Sequence, residues 1–166
     1  MTIDPTLVAW GTFDDNPWQR LVAEAVRADG MRVVEVEHGD ALEEWIARAA
    51  SQPVVVHDNW TGPIAQRAED PDEAMRSVHR HLATIDALHD AGGRLLWTMH
   101  NAAAHELVHP AAEAALASGI AARADVVHVM HESARALVPE VAQGRVVVVP
   151  HPSYAGVYPT VLDRDG

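Results

Sequence analysis

Two groups of residues in the middle of the chain have types and spacing that could do chemistry. The first is His100-Asn101, which closes the apolar run Arg94-Leu95-Leu96-Trp97-Thr98-Met99. An imidazole beside a carboxamide can hydrogen-bond hydroxyl groups or accept a proton near neutral pH. The second, four residues on, is His105-Glu106-Leu107-Val108-His109, which matches the pattern HExxH. That pattern holds zinc when both histidines lie on one face of a continuous helix and the glutamate activates a bound water. Here Pro110 follows His109 directly. Proline disfavours helical geometry in the residue before it, and inside a helix its ring would clash with the carbonyl of Glu106. His128, His131 or Glu132 could be proposed as a third ligand, but none stands at an obvious spacing. A zinc-dependent hydrolase through His105, Glu106 and His109 is therefore the alternative, and a polar loop at the end of a buried strand is the main reading.

Composition narrows the classes further. The 166 residues are 48% hydrophobic, enough for one domain with a substantial core. Cysteine is absent, and the twelve basic residues are all arginine, which removes thiol chemistry, lysine Schiff bases and Walker-type phosphate loops. A net charge of −12 opposes nucleic acid as a partner. No basic leader precedes an apolar core and no apolar run approaches the length of a membrane span, so a cytoplasmic protein is expected.

The elements that must position these residues alternate along the chain. Apolar strands are expected over 6–10, 31–37, 53–56, 94–101, 125–130 and 145–149. Helices start at capping signals: Asn16-Pro17 with Gln19, Asp40 with Glu43, and Asp70-Pro71 with Glu73. The first runs to Gly30 with Leu21, Val22, Ala25 and Val26 inward. The second places Leu42, Trp45, Ile46 and Ala49 inward. The third carries Met75, Val78, Leu82, Ile85 and Leu88 inward and ends at Gly92-Gly93. Pro110 opens an alanine-rich helix to about residue 122, a further helix covers 132–141, and 61–69 reads as a loop with turn chemistry at Gly62-Pro63. Unbroken valine and leucine strands imply burial on both faces. The expected fold is a Rossmann-like three-layer α/β/α domain with a mostly parallel sheet of about six strands.

In such sheets ligands bind beyond the carboxyl ends of the strands. Polar residues gather there: Asp14-Asp15-Asn16, His57-Asp58-Asn59, His100-Asn101, His131-Glu132 and His151. Asn16 and His131 have a structural alternative as helix caps. The first turn lacks GxGxxG, and Asp14-Asp15 would repel a dinucleotide pyrophosphate. Neither Ser133 nor Ser153 lies in a GxSxG elbow. Trp18 and Trp60 could contact a sugar ring or pack in the core.

With those residues in place, the chain resembles the N-terminal half of a GT-B glycosyltransferase, of the family 4-like type that builds bacterial polysaccharides and glycoconjugates. The resemblance rests on Asp15-Asn16-Pro17-Trp18 with Leu21, on Thr98-Met99-His100-Asn101 followed by His105-Glu106, and on Ala124-Asp125-Val126-Val127 leading to His131-Glu132-Ser133. It continues through Val148-Val149-Pro150-His151-Pro152-Ser153-Tyr154 and Tyr158, and so covers nearly the whole chain in order. It implies an acceptor-side domain over residues 1–158, with 159–166 as a tail or the start of an interdomain segment. The activity implied is transfer from a nucleotide sugar to a glycan, small-molecule or lipid-linked acceptor. No metal is implied, and peripheral membrane contact is. A separate C-terminal donor-binding domain would be needed, leaving this chain inactive alone. By position, His100 and Asp58 are the catalytic candidates, with His100 favoured as a sugar-positioning group. Asp15, Asn16, His57, Asn101, His131, Glu132, His151 and Tyr154 are the substrate-binding candidates. Two departures from the family pattern are His131, where a small hydroxyl residue is usual, and Pro152, where glycine is usual. A non-enzymatic Rossmann-like binding module is the further alternative.

Overall fold

A computed structural model describes residues 5–11, 17–37, 41–101 and 106–157. Its strands are β1 (Thr6–Trp10), β2 (Arg32–Val36), β3 (Val54–Asp58), β4 (Arg94–Thr98), β5 (Val126–Val129) and β6 (Val146–Val148). They form one sheet in the order β2-β1-β3-β4-β5-β6, with every pairing parallel. The helices are α1 (Pro17–Ala28), α2 (Ala41–Ala49), α3 (Gly62–Gln66), α4 (Pro71–Asp90), α5 (Pro110–Arg123) and α6 (Glu132–Arg135). This is a doubly wound order with the three-layer α/β arrangement expected from the strand runs. The reversal between β1 and β3 creates the crevice where such sheets take ligands.

Strand alternation divides the sheet into two unlike faces. On one, Val8, Trp10, Val56, Leu95, Trp97 and Val127 join Leu42 and Trp45 of α2, Val78, Ile85 and Leu88 of α4, and Leu116 and Ile120 of α5 in a single apolar core. On the other, Trp18 of α1 meets the rings of His57, His100 and His128. Gly119 permits the close α4–α5 approach, since a Cβ there would stand 2.5 Å from Leu82 Cδ1.

The long helix α4 is bounded by chemistry visible in the sequence. Asp70 Oδ1 accepts from the Glu73 amide at 2.7 Å, and Pro71 fills the first helical position, where no amide is needed. The Glu73 carboxylate reaches back one residue further than a capping box requires and accepts from the Glu69 amide at 2.8 Å. At the other end Gly92, with φ +91°, lets the Gly92 and Gly93 amides donate to the carbonyls of His89 and Leu88. That double bond pattern is a Schellman closure, and it needs a residue free to adopt positive φ.

Several expectations are corrected. The segment 61–69 is not all loop, because Pro63 seeds the short helix α3. The helix expected over 132–141 is split into α6 and a 3-10 turn, Glu140–Arg145. Pro139 lacks the amide that would continue the helix, and its ring would collide with the Arg135 carbonyl. Gln143 Nε2 donates instead to the carbonyls of Arg135 and Val138, at 2.9 and 2.7 Å. In α1 the buried residues are Trp18, Gln19 and Ala23, and Ala25 is exposed. The caps assigned to Asn16 and Asp40 lie outside the described residues. Among the described residues, no helix is long and apolar enough to cross a membrane.

Candidate functional site

Beyond the ends of β3 and β4 lies a cavity of about 270 Å³. Asn59 and Trp60 reach it from the end of β3 and His100 and Asn101 from that of β4, while α3, the segment before α5 and the first turn of α5 close the far wall through Gln66, Glu106 and Glu113. The wall is held by the Gln66 carboxamide. Its oxygen accepts from the amides of Val108 and His109 at 2.8 and 3.0 Å, while its nitrogen donates to Glu113 Oε2 at 2.7 Å. One side chain thus satisfies two amides ahead of α5 and one acid in its first turn, donors and acceptors that a helix start leaves open.

His100 is the best-defined polar group in the cavity. Its Nε2–H donates to Asn59 Oδ1 at 2.7 Å, and its ring centre lies 4.8 and 5.5 Å from those of Trp18 and Trp60, both steeply inclined to it. Burial, with His128 and His151 nearby, pushes its pKa down to about 4. At neutral pH the ring is uncharged, and with Nε2 committed as donor, Nδ1 remains an acceptor.

Behind it runs a chain of hydrogen bonds whose direction follows from its last member. A carbonyl oxygen can only accept, so His128 Nε2–H donates to Val149 O at 2.9 Å. His128 Nδ1 is then an acceptor for the Thr98 hydroxyl at 3.1 Å. Thr98 Oγ1 in turn accepts from His57 Nε2–H at 2.7 Å. Every proton has one place. Burial pushes His57 down to about 4, against a weaker opposing pull from Asp58.

The residues singled out from the sequence separate accordingly. His100 and Asn101 line the cavity, whereas His57 is buried behind it. Asp58 is corrected as a candidate base. It is wholly hidden on the opposite face of β3, where its Oδ2 accepts from His81 Nε2–H at 2.7 Å and the His81 ring stacks on Trp10 at 4.3 Å. His131, Glu132, His151 and Tyr154 are outside the cavity lining. His131 Nδ1 accepts from the Ser133 amide as the cap of α6, and Glu132 pairs with Arg135 at 2.8 Å. His151 Nδ1–H donates to Pro152 O at 2.8 Å, while its Nε2 faces Tyr154 OH at 3.1 Å. Asp15, Asn16 and His105 lie outside the described residues. Gln66 and Glu113 belong to the site but were not among the sequence candidates, and Asn59 was read there only as one of the polar strand ends. The signal for Gln66 was the helix start at Gly62-Pro63, which turns a supposed loop into a wall.

The HExxH reading is corrected as well. Residues 106–109 are not helical, α5 begins only at Pro110, and His109 is a buried cap whose Nε2–H donates to Ala68 O at 3.0 Å. Among the described residues no group of three His, Cys, Asp or Glu is placed to hold a metal ion.

No family model and no curated protein matches the chain. Among solved structures it is similar to a 3-dehydroquinate dehydratase-like protein from Bifidobacterium longum, with 20% identity, a TM-score of 0.34, and coverage of 59% of this chain and 72% of that one. The resemblance to GT-B glycosyltransferases is therefore corrected: no glycosyltransferase family model and no curated glycosyltransferase supports it. The motif residues behind it have local structural work that a doubly wound sheet asks of its strand ends. His131 caps a helix and His151 partners Tyr154.

Proposed function

We propose that this chain binds a hydroxyl-bearing small molecule of about one sugar ring in the cavity beyond β3 and β4. The observation that carries the reading is His100, uncharged at neutral pH and tied to Asn59 inside a cavity that also presents Asn101 and the Trp60 ring. Amides and a neutral imidazole suit alcohols, which both donate and accept, and an indole beside them suits the apolar face of a ring. Among the described residues no arginine lines the cavity, which disfavours a phosphate or carboxylate.

The low basicity of His100 favours recognition over proton abstraction. An imidazole with pKa about 4 is roughly 300-fold weaker as a base than an unperturbed one. Hydroxyl recognition is the part of the sequence expectation that this reading keeps, and it needs no family to support it. The test is an NMR titration with glucose, inositol and glucose 6-phosphate. The neutral ligands should shift resonances of Asn59, Trp60 and His100 in the wild type and not in His100→Ala. Preferential binding of the phosphate, or shifts that survive in His100→Ala, would overturn the assignment.

A further inference from the structure

We infer that α1 is an acid-released element, docked on the sheet by the Trp18 indole among three imidazoles that hold it only while they are uncharged. The device needs no ligand. Of the 12 residues of α1, only Trp18, Gln19 and Ala23 are buried, with Leu21, Val22 and Val26 partly so. Trp18 is the largest of them and is 2% exposed. Its ring centre lies 4.8 Å from that of His100, 5.8 Å from that of His57 and 6.1 Å from that of His128. One indole thus gathers imidazoles from the ends of three neighbouring strands, β3, β4 and β5. Farther along the helix Arg27 pairs with Glu35 of β2 at 3.1 Å, but both side chains are nearly half exposed, and such a pair holds little.

The groups around the rings decide how they respond to acid. By strand alternation β1 gives that side of the sheet Leu7 and Ala9. β4 gives the Thr98 hydroxyl, which bonds both His57 and His128. His151, beyond β6, makes His100 harder to protonate. On α1, Arg20 and Glu24 are exposed. Glu35 lies two strands from His57 and is taken by Arg27, while Asp58 turns its carboxylate to the opposite face and His81. Among the described residues, a proton arriving on this cluster therefore gains like-charged neighbours and no adjacent counter-ion on its own side of the sheet. Burial, reinforced by the neighbouring imidazoles, holds His57 and His100 at about 4. The docked helix refuses protons that the undocked one takes up below 6.5. Docking weakens as pH falls through that window and levels off below about 4. Elements with few buried contacts open ahead of the whole fold, and release of α1 takes Trp18 away from His100 and so reaches the cavity.

Amide hydrogen exchange of the chain at about pH 7 and about pH 5, corrected for intrinsic rates, tests this by comparing α1 with α4. The α1 amides should be less protected than those of α4 at both values. Their protection should fall about 20-fold on acidification if one ring is released and about 400-fold if both are. His57→Asn, which keeps a donor for Thr98, and His100→Gln, at a half-buried position, should each reduce that fall. Equal protection of α1 and α4 would show that the helix leaves only with the whole fold and would overturn the inference. So would a smaller fall in the wild type, or one that neither variant reduces.

Discussion

Replacing His57 with asparagine should change how stability depends on pH more tellingly than it changes stability itself. His57 is 2% exposed, and its pKa is about 4 in the fold against 6.5 for a free histidine. Below pH 6.5 the unfolded chain takes up a proton that the folded chain refuses, so stability falls as pH drops through this window and levels off below about 4. The slope this group contributes is about 1.4 kcal/mol per pH unit, and its full loss is about 3 kcal/mol. The groups facing it are Asp58 on its own strand, which opposes the shift, and His128 and His100, which reinforce it. All three remain in the variant, so their contributions largely cancel on subtraction. Asparagine can still donate to Thr98 but cannot titrate. Urea denaturation of both proteins at several pH values between neutral and about 4.5 should give curves that converge as pH falls. Parallel curves would show that His57 is protonated as readily in the fold as out of it. The relay from His57 through Thr98 to His128 would then be wrongly oriented.

Two further substitutions separate wall from core. Gln66→Leu removes the acceptor shared by Val108 and His109 and the donor to Glu113. It should cost about 1–2 kcal/mol in urea denaturation and weaken sugar binding in the same protein, because the wall carrying Glu106 loses its anchor. Asp58→Asn should destabilise the fold by about 2 kcal/mol by weakening the buried pair with His81, yet leave sugar affinity measured by titration unchanged. A loss of affinity in Asp58→Asn would return that carboxylate to the site.

The order of elements was legible because each carries its own punctuation. Unbroken valine runs marked the strands, and Asp70-Pro71 and Gly92-Gly93 marked the ends of α4. What stayed hidden was long-range. His81 occupies a core position of α4 between Val78 and Ile85, where an apolar residue would be expected. Its reason is Asp58, 23 residues earlier, and no local pattern reveals that pairing. His57 and Asp58 are neighbours in sequence and were read as one polar end. Strand alternation sends them to opposite faces, one to the α1 side and one into the apolar core, and neither lines the cavity. The polar strand ends therefore mark the correct edge of the sheet but overcount its ligands, since most of these side chains satisfy their own backbone. The break at Pro139 was readable from a single residue.

The relay that begins at His57 ends on a main-chain atom, the carbonyl of Val149. A side chain at the end of such a chain could be lost by one base change, but no substitution at position 149 deletes a carbonyl. Its direction is guarded too, because Pro150 restricts the backbone of the residue before it to extended geometry. Variation at Val149 is thus nearly free of consequence for the buried histidines. Variation at Pro150, a residue that touches none of them through any hydrogen bond of its own, lifts that restriction and loosens the aim of the one acceptor that sets the direction of the line.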